Sequence, residues 1–365
     1  MQVRGRMRAT LVGGGALAMA LALGACTSSS TPPSSAGATT GAGSTGGASL
    51  SGTLNGSGST FQLNFQQSAI QSFSSVDPNV HVVYNGVGSG TGRSNLAAGT
   101  VNFAGSDSPI PSNETANFKG KKVLYFPILI GPITLSYNLS NVSNLKLTPT
   151  VIAKIFQSQI KTWNDPAIKA INPGVTLPST PISIAVRSDS SGTTQNFALF
   201  LKTAAPSVWT LGDGSTVKWP SGAHAAAGNS GVASVVKSTP GAIGYVDYST
   251  AKSAGLTAAS VQNSSGDYVA PSAAGASASA AGVTVAPDLT FHAVWGSGAS
   301  AYPVTYQSWV IVYAQQPTAS DANLLKAYLG YLLGDGQQLL GQLSYAPLPS
   351  SIDSQAKAQL SQITS

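Results

Sequence analysis

Residues 187–194 of this chain read Arg187-Ser188-Asp189-Ser190-Ser191-Gly192-Thr193-Thr194. The stretch follows an apolar run over residues 182–186 that is typical of a β-strand, and it precedes a run over residues 195–202 that is typical of a helix. The first turn of a helix leaves backbone N–H groups without partners, and the helix dipole favours negative charge there. Serine and threonine hydroxyls and the guanidinium of an arginine supply further hydrogen-bond donors for an anion at this position. The sequence therefore predicts an anion-binding turn at the start of this helix.

Arginine is rare in this chain, so the position of Arg187 is informative about function. Beyond residue 8 the only other arginine is Arg93, and charged residues make up only 8% of the chain. An arginine inside a hydroxyl-rich turn of so charge-poor a protein indicates a functional role for its guanidinium, because such a turn is an anion site in its own right.

Three more Gly/Ser-rich turns follow or end strand-like stretches, at residues 55–61, 86–93 and 103–109. Apolar residues spaced four apart predict a helix after the first of them, up to residue 73. Each turn alone is typical of an ordinary loop. Strands and helices alternate along the chain, which favours an α/β fold, and ligands of open α/β sheets lie outside the carboxyl ends of the strands. Four such turns at strand ends therefore predict one shared crevice.

Further predicted strands and helices make up the rest of the fold. Residues 123–130 and 133–137 read as two buried strands broken by Gly131-Pro132, and residues 304–313 as a central strand. Thr148-Pro149 predicts the start of a helix that runs to residue 156, since Thr suits the N-cap and Pro the first helical position. Residues 231–237 and 322–333 also read as helices, and residues 242–246 as a strand.

The first 49 residues are predicted to lie outside the folded part. Three arginines precede a short apolar run at residues 11–23, which ends in Leu23-Gly24-Ala25-Cys26. This pattern resembles the lipobox of bacterial lipoproteins, so we expect a signal peptide over residues 1–25 and a lipid on Cys26; an ordinary signal peptide with a chance cysteine is the alternative. Cys26 is the only cysteine, so no intrachain disulfide forms. Residues 27–48 contain only Ser, Thr, Ala, Gly and Pro, which makes residues 26–49 a disordered tether.

Several classes of function lack their residues in this sequence. The formal net charge is +6, of which the three N-terminal arginines supply half, and no basic run suits nucleic acid. The histidines (His81, His224 and His292) lack metal-ligand spacing. No Gly-rich turn carries a Walker lysine or a full dinucleotide fingerprint, and no histidine stands near a reactive-looking serine. We therefore expect no enzyme activity, no metal, no cofactor and no nucleic-acid partner.

Over residues 51–350 the chain resembles the PstS-type substrate-binding lipoproteins of phosphate ABC importers. Besides the turns, the resemblance rests on Phe126-Pro127 and on residues 168–173, 214–220, 240–246 and 345–349. It implies an α/β, two-lobed, periplasmic-binding-protein-like (type II) fold with two hinge crossings and the ligand in the inter-lobe cleft. It also implies one lobe from residues 50–137 plus 304–365, and a second lobe from residues 138–303.

The resemblance also implies a set of phosphate ligands. By position, the ligands are Thr60, Phe61 through its backbone N–H, Ser89, Asp107, Arg187, Ser191, Gly192 and Thr193. Asp189 matches the residue that orients the arginine. The residues themselves agree, since phosphate at neutral pH keeps a proton and Asp107 is the only carboxylate in the turns before residue 138. The alternative role for Asp107 is to cap the turn that begins at Ser108-Pro109.

Two departures from the family pattern leave alternatives open. Arg93 stands where the family has a small or apolar residue, so it either adds positive potential near the mouth of the site or faces solvent at a helix start. Residues 271–286 are of low complexity and form either a loose helix or a surface loop.

The resemblance implies an extracytoplasmic protein, anchored by lipid to the bacterial cell membrane, that captures inorganic phosphate and delivers it to an ABC import permease. Another tetrahedral oxyanion such as sulfate or molybdate, a secreted phosphatase on the same scaffold, and a surface adhesin or sensor are the alternatives. Asp107 argues against a fully deprotonated anion, because a carboxylate that faces one receives no proton.

Overall fold

The computed structural model describes residues 50–365; the predicted signal peptide, Cys26 and the tether lie outside the described residues. The strands are β1 (Gly52–Gly58), β2 (Val80–Gly86), β3 (Phe103–Ser106), β4 (Val123–Tyr137), β5 (Lys146–Leu147), β6 (Ser183–Arg187), β7 (His224–Ala226), β8 (Ala242–Asp247), β9 (Thr257–Ala258), β10 (Ser260–Gln262), β11 (Tyr268–Val269) and β12 (Thr305–Tyr313). The α-helices are α1 (Leu63–Phe73), α2 (Ser89–Ala98), α3 (Pro149–Phe156), α4 (Pro166–Ala170), α5 (Gly192–Ala204), α6 (Gly228–Ser238), α7 (Tyr248–Ser253), α8 (Ala273–Ala280), α9 (Ala319–Leu333) and α10 (Ser350–Gln359). Three short 3-10 helices span Thr115–Phe118, Asp335–Leu339 and Leu360–Gln362.

One long sheet carries the fold, in the order β2-β1-β3-β12-β4-β8-β6-β7, with β9 added to β4. Strands β1, β2 and β3 are parallel, as are β6, β7 and β8, whereas β12 is antiparallel to β3 and β4. The carboxyl ends of parallel strands meet at one edge of a sheet, which is where ligands bind in this class of fold. The two parallel groups run in opposite directions, because β12 is antiparallel to β3, β4 to β12 and β8 to β4, so their carboxyl ends face each other across the middle of β4. Helices follow β1, β2 and β6 at these facing ends.

Strand β4 joins the two halves of the sheet. Its residues 123–132 pair with β12, and its residues 133–137 pair with β8. We call the part of the chain built on β2, β1, β3 and β12 the first lobe, and the part built on β8, β6 and β7 the second lobe. The predicted boundaries after residues 137 and 303 stay predictions; the change of partner within β4 lies between residues 132 and 133.

The prediction that Gly131-Pro132 divides this stretch into two strands was wrong, because β4 is continuous over 15 residues. Pro132 pairs with Thr305, the first residue of β12, so its missing N–H falls at the end of that ladder. The absent side chain of Gly131 leaves room for aromatic rings, since a Cβ there would lie 2.9 Å from the ring of Tyr345 and 3.0 Å from that of Phe61.

Glycines predicted as turn residues belong partly to strands. Gly56 and Gly58 lie in β1 and Gly105 lies in β3. A Cβ on Gly56 would lie 2.1 Å from the ring of Phe103, and one on Gly58 would lie 2.1 Å from the carbonyl oxygen of Gly105. These glycines therefore allow the two strands and the core to approach closely, and the turn proper begins at Ser59.

The helix predictions are confirmed. The helix predicted up to residue 73 is α1, whose face toward the core includes Phe65, Ala69 and Phe73. Thr148 caps α3 by accepting a hydrogen bond from Val151, and Pro149 is the first helical residue. Within the low-complexity residues 271–286 the structure forms α8, which Ser272 caps by accepting from the N–H of Gly275 at 3.0 Å. Among residues 50–365, no helix is both long and apolar enough to cross a membrane.

Candidate functional site

The four predicted turns meet between the two lobes, where the carboxyl ends of the two parallel strand groups face each other. The N–H of Gly90 at the start of α2 donates to the carbonyl of Ser190 in the turn after β6, at 3.1 Å. A Cβ on Gly192 would lie 2.8 Å from Oδ2 of Asp107, which follows β3. The first-lobe turns therefore touch the arginine-bearing turn of the second lobe directly.

Asp107 is the buried acidic centre of this site, with 1% of its surface exposed. Its Oδ1 accepts hydrogen bonds from Ser59 Oγ at 2.5 Å and from Ser308 Oγ at 2.6 Å, and its Oδ2 accepts one from Ser89 Oγ at 3.4 Å. Burial raises the pKa of Asp107, while these hydroxyls and the charge of Arg187 lower it in part. The carboxylate contacts hydroxyls rather than the N–H groups that follow it, so the turn-capping alternative is not supported.

Arg187 is the buried basic group of the site, and its side chain is 1% exposed. Its Nε donates to Asp189 Oδ1 at 2.8 Å, and its Nη2 donates to Asp189 Oδ2. Burial raises the pKa of Asp189, but the hydrogen bonds and charge of Arg187 outweigh burial and hold it below its ordinary value. The remaining terminal nitrogen, Nη1, is buried and has no hydrogen-bond partner among the described residues.

Helix α5 begins at the same place. Ser191 is its N-cap and accepts a hydrogen bond from the N–H of Thr194 at 3.1 Å. The N–H groups of Gly192 and Thr193 open the helix and have no acceptor within it. Both residues are buried, so these donors and the helix dipole act inside the protein, where they favour an anion strongly.

The structure places Thr60 and Phe61 at this site with partners that the sequence did not predict. The Phe61 N–H donates to Ser59 Oγ at 3.0 Å. Thr60 Oγ1 accepts from the backbone N–H of Asn229 at 3.2 Å and from its Nδ2 at 3.1 Å. Thr60 thus joins the first lobe to the start of α6 in the second.

Four polar residues of the site escaped the sequence analysis. They are Ser59, Asn196, Asn229 and Ser308, each at most 1% exposed. Asn196 Nδ2 donates to the main-chain carbonyl of Asp107 at 2.6 Å, which ties α5 to the first lobe. One signal was available, since Gln307-Ser308 are polar residues within an otherwise apolar central strand.

The solvent-facing interpretation of Arg93 was wrong, because its side chain is fully buried, and its pairing with Glu114 does not support an added positive potential. Its Nε and Nη2 pair with the two carboxylate oxygens of Glu114, at 2.7 and 2.9 Å. Its Nη1 donates to Ser106 Oγ at 3.0 Å and to Ser108 Oγ at 3.1 Å. Arg93 therefore holds the two neighbours of Asp107, and its charge is matched by Glu114 rather than directed at a ligand.

A groove of about 400 Å³ opens at the surface between α1 of the first lobe and α6 and α7 of the second. Thr60 lies in its lining, together with Asn64, Ser230 and Lys237. A larger groove, of about 880 Å³, lies beside Lys121 and Tyr313, and neither Asp107 nor Arg187 is in its lining. Among residues 50–365 no three His, Cys, Asp or Glu side chains group as a metal ion would require.

Known proteins share this sequence and fold. A family model described as "PBP superfamily domain" matches residues 43–335 of this chain. The chain is 34% identical over 352 residues to Phosphate-binding protein PstS 3 of Mycobacterium leprae, covering 93% of this chain and 95% of that protein. It is 35% identical over 280 residues to Phosphate-binding protein PstS of Xylella fastidiosa, covering 75% and 76% of the two chains.

Solved structures confirm the predicted fold. A high-affinity periplasmic phosphate-binding protein, PfluDING, bound with phosphate, matches with a TM-score of 0.71 at 23% identity and covers 84% of this chain and 94% of that one. A phosphate binding protein from Stenotrophomonas maltophilia matches with a TM-score of 0.69 at 18% identity and covers 85% and 94%. The α/β, two-lobed fold of periplasmic binding proteins is thus the fold of this chain.

Proposed function

This chain belongs to the PstS phosphate-binding proteins of the PBP superfamily, and we propose that it binds inorganic phosphate between its two lobes and delivers it to the permease of an ABC importer. One observation carries the proposal: among residues 50–365, the buried Nη1 of Arg187 has no hydrogen-bond acceptor, and it lies in the same inter-lobe site as the buried carboxylate of Asp107. Asp189 pairs the charge of Arg187 from one side, but a buried donor left without an acceptor is costly, and a bound anion supplies the acceptor for Nη1.

The balance of donors and acceptors in the site supports phosphate. Arg187 Nη1, the N–H groups that open α5 and the hydroxyls of Thr60 and Thr193 are available as donors, while Asp107 supplies one acceptor. Phosphate at neutral pH carries at least one proton for that acceptor and unprotonated oxygens for the donors. Sulfate has no proton to share, so its oxygen would face a buried carboxylate, and a site that leaves a buried polar group unpaired rejects a ligand strongly.

We further propose the full ligand set from the family resemblance. It comprises Thr60, the Phe61 N–H, Ser89, Asp107, Arg187, Ser191, Gly192 and Thr193, with Asp189 holding the arginine. The burial of these side chains and the mutual contacts of the turns support the set. The Phe61 N–H reaches an anion by exchanging its bond to Ser59 Oγ.

The binding role is proposed in place of hydrolysis. Three serine hydroxyls near the site donate to Asp107, and no histidine is among their hydrogen-bond partners. A serine hydroxyl needs such a base to become a nucleophile. The proposed place of action is the extracytoplasmic face of the membrane, with a lipid on Cys26 as the anchor, which the lipobox-like residues 23–26 support.

Isothermal titration of phosphate-stripped protein tests the function. We expect phosphate and arsenate to bind and sulfate to bind far more weakly. Arg187→Lys keeps the charge but loses the planar donor fork, so its phosphate affinity should fall about ten- to a hundredfold. Lys202→Ala, at the far end of α5 in an exposed pair with Asp213, is the control and should bind as the wild type does. The proposal is contradicted if phosphate does not bind, or if sulfate binds with the same affinity as phosphate.

A further inference from the structure

Asn229 lies where the two lobes meet, and neither the family resemblance nor the sequence gave it a role. It is the second residue of α6 and is 1% exposed. Its Nδ2 donates to Thr60 Oγ1 in the first lobe at 3.1 Å and to Thr193 Oγ1 in the second at 3.3 Å. One amide group thus contacts two of the proposed phosphate ligands, one from each lobe.

The orientation of this amide is fixed by the main chain. Asn229 Oδ1 accepts a hydrogen bond from the N–H of Asp247 at 3.2 Å. A backbone N–H only donates, so the oxygen of the amide must face Asp247 and its NH₂ must face the two threonines. The reverse orientation would set two donors against each other inside the protein, which is costly.

The amide in turn decides what the threonine hydroxyls can do. A hydroxyl has one hydrogen to donate and two lone pairs that accept. Both lone pairs of Thr60 Oγ1 are used, one by the backbone N–H of Asn229 and one by its Nδ2. Thr193 Oγ1 likewise accepts from Nδ2. Each hydroxyl therefore keeps its hydrogen for a further acceptor.

We propose that Asn229 is a positioning residue that sets the specificity of the site, because it makes Thr60 and Thr193 donors to unprotonated oxygens of the bound anion. The proposal rests on the function proposed above. It leaves Asp107 as the acceptor for the proton of phosphate and assigns the unprotonated oxygens to the threonines. Donor and acceptor positions around the anion are then fixed by groups that do not all touch it.

Asn229→Asp tests this, because it keeps the shape and replaces the donating NH₂ by an accepting oxygen. The threonine hydrogens then turn toward the new carboxylate and away from phosphate. We expect the phosphate affinity of this variant to fall at least about a hundredfold at pH 8. Protonation of the introduced carboxyl restores a donor, so the ratio of variant to wild-type affinity should recover at least about fivefold at pH 5.5. Taking the ratio at each pH cancels the ionisation of phosphate itself.

Two further variants keep the test decisive. Asn138→Asp is the matched control: the Asn138 amide donates to the carbonyls of Val236 and Lys237 at the other end of α6, far from the site. It should change the melting temperature without giving a pH-dependent affinity ratio. Asn229→Ala removes the amide without adding charge, and we expect about tenfold weaker binding at every pH.

The outcomes separate this inference from the proposed function. If wild-type protein does not bind phosphate, the function itself fails. If wild-type protein binds phosphate and Asn229→Asp shows the same affinity ratio at pH 8 and pH 5.5, Asn229 has only a structural role and this inference is overturned. Should Asn229→Asp not fold, unchanged affinity in Asn229→Ala overturns it equally.

Discussion

Two buried carboxylates of this protein have different surroundings, and the difference predicts different roles. Both oxygens of Asp107 accept hydrogen bonds from serine hydroxyls. Asp247, at the end of β8, accepts from the N–H of Thr250 at 2.9 Å and from the hydroxyl of Tyr345 at 3.4 Å through Oδ1, while its Oδ2 has no partner among the described residues. Hydrogen bonds to both oxygens therefore stabilise the charged form of Asp107, whereas the charged form of Asp247 lacks such bonds at Oδ2 among the described residues.

Asp107→Asn should weaken the selectivity of the site for phosphate over sulfate. The asparagine amide donates a hydrogen bond where the carboxylate only accepts one, so a sulfate oxygen no longer meets repulsion. We expect discrimination against sulfate to fall by at least about tenfold, measured by competition titration. Asp213→Asn, an exposed partner of Lys202, is the control and should leave the selectivity unchanged. A mutant that rejects sulfate as well as the wild type would remove Asp107 from this role.

Asp247→Asn should raise stability in mildly alkaline solution. Burial raises the pKa of Asp247 to about 7; hydrogen bonds from Thr250 and the charge of Arg187 lower it, and the charge of Asp107 raises it. A carboxyl with a raised pKa in the folded state contributes most stability below its unfolded pKa and loses that contribution as pH rises toward and through 7. We therefore expect the wild type to lose stability between about pH 4 and pH 8 relative to the variant.

Thermal unfolding of phosphate-stripped protein measures this. At pH 8 the variant should melt at least about 2 °C above the wild type, and the difference should shrink at pH 5. Asp165→Asn is the control, since Asp165 also caps a helix, through the N–H of Ala167 at 2.8 Å, but is only partly buried. Equal melting curves for wild type and Asp247→Asn at both pH values would show that Asp247 carries no such charge penalty.

At the scale of elements, local sequence patterns were enough to predict the strands, the helices and their caps. Contacts between segments that are distant in the sequence were not predicted. Thr148-Pro149 acts within one helical turn, so its sequence sufficed to predict α3. Arg93 was misread because its partner Glu114 stands 21 residues away, and only the fold shows that both meet. Ser308 was missed for the same reason, since it reaches Asp107 across 201 residues. The turns of the proposed site were predictable because each carries its donors within a few residues of sequence, whereas the groups that orient those donors come from distant parts of the chain.

The start of α5 must lie against the first-lobe turns, and Gly192 makes this possible. A Cβ at this position would lie 2.5 Å from Ser89 Oγ and 2.8 Å from Asp107 Oδ2, closer than real contacts allow. We expect Gly192→Ala to weaken phosphate binding by at least about tenfold, because the overlap costs more than one net hydrogen bond. The substitution should not destabilise α5 itself, since alanine has a higher helix propensity than glycine.

Gly330→Ala is the matched control for this variant. Gly330 lies inside α9, and a Cβ there would only touch a methyl group of Leu360 at 3.9 Å. This substitution should leave phosphate affinity unchanged and raise stability by roughly 0.5–1 kcal/mol. If titration finds equal phosphate affinity in Gly192→Ala and the wild type, α5 does not need to approach Asp107 so closely.

At the scale of the whole molecule, few direct polar contacts outside the site hold the lobes together. Asn64 of α1 donates to Ser249 of α7 at 2.9 Å, and Lys252 of α7 donates to Ser344 at 3.0 Å. Exposed or partly buried bonds of this kind each contribute little. The site also joins the lobes, through the 3.1 Å bond from the Gly90 N–H to Ser190 and the 2.6 Å bond from Asn196 to the Asp107 carbonyl, and a buried arginine and a buried carboxylate lie beside these bonds. An anion that pairs the arginine therefore stabilises this closed arrangement more than any surface contact does.

Phosphate should accordingly shift the protein from an open to a closed arrangement of the lobes. In the closed, ligand-free protein the buried Nη1 of Arg187 has no acceptor among residues 50–365, although Asp189 pairs the other side of the guanidinium; this favours opening about β4 and exposure of Nη1 to water. Small-angle scattering of the same protein with and without phosphate should show a smaller radius of gyration with phosphate, against roughly 20 Å expected for a compact chain of this size.

Sulfate at equal concentration is the control and should leave the radius of gyration unchanged. Arg187→Lys should need about ten- to a hundredfold more phosphate for the same change, because closure and binding draw on the same donor. A radius that stays constant as phosphate saturates the site would mean that the lobes are already closed without ligand, and the unpaired Nη1 would then need another explanation.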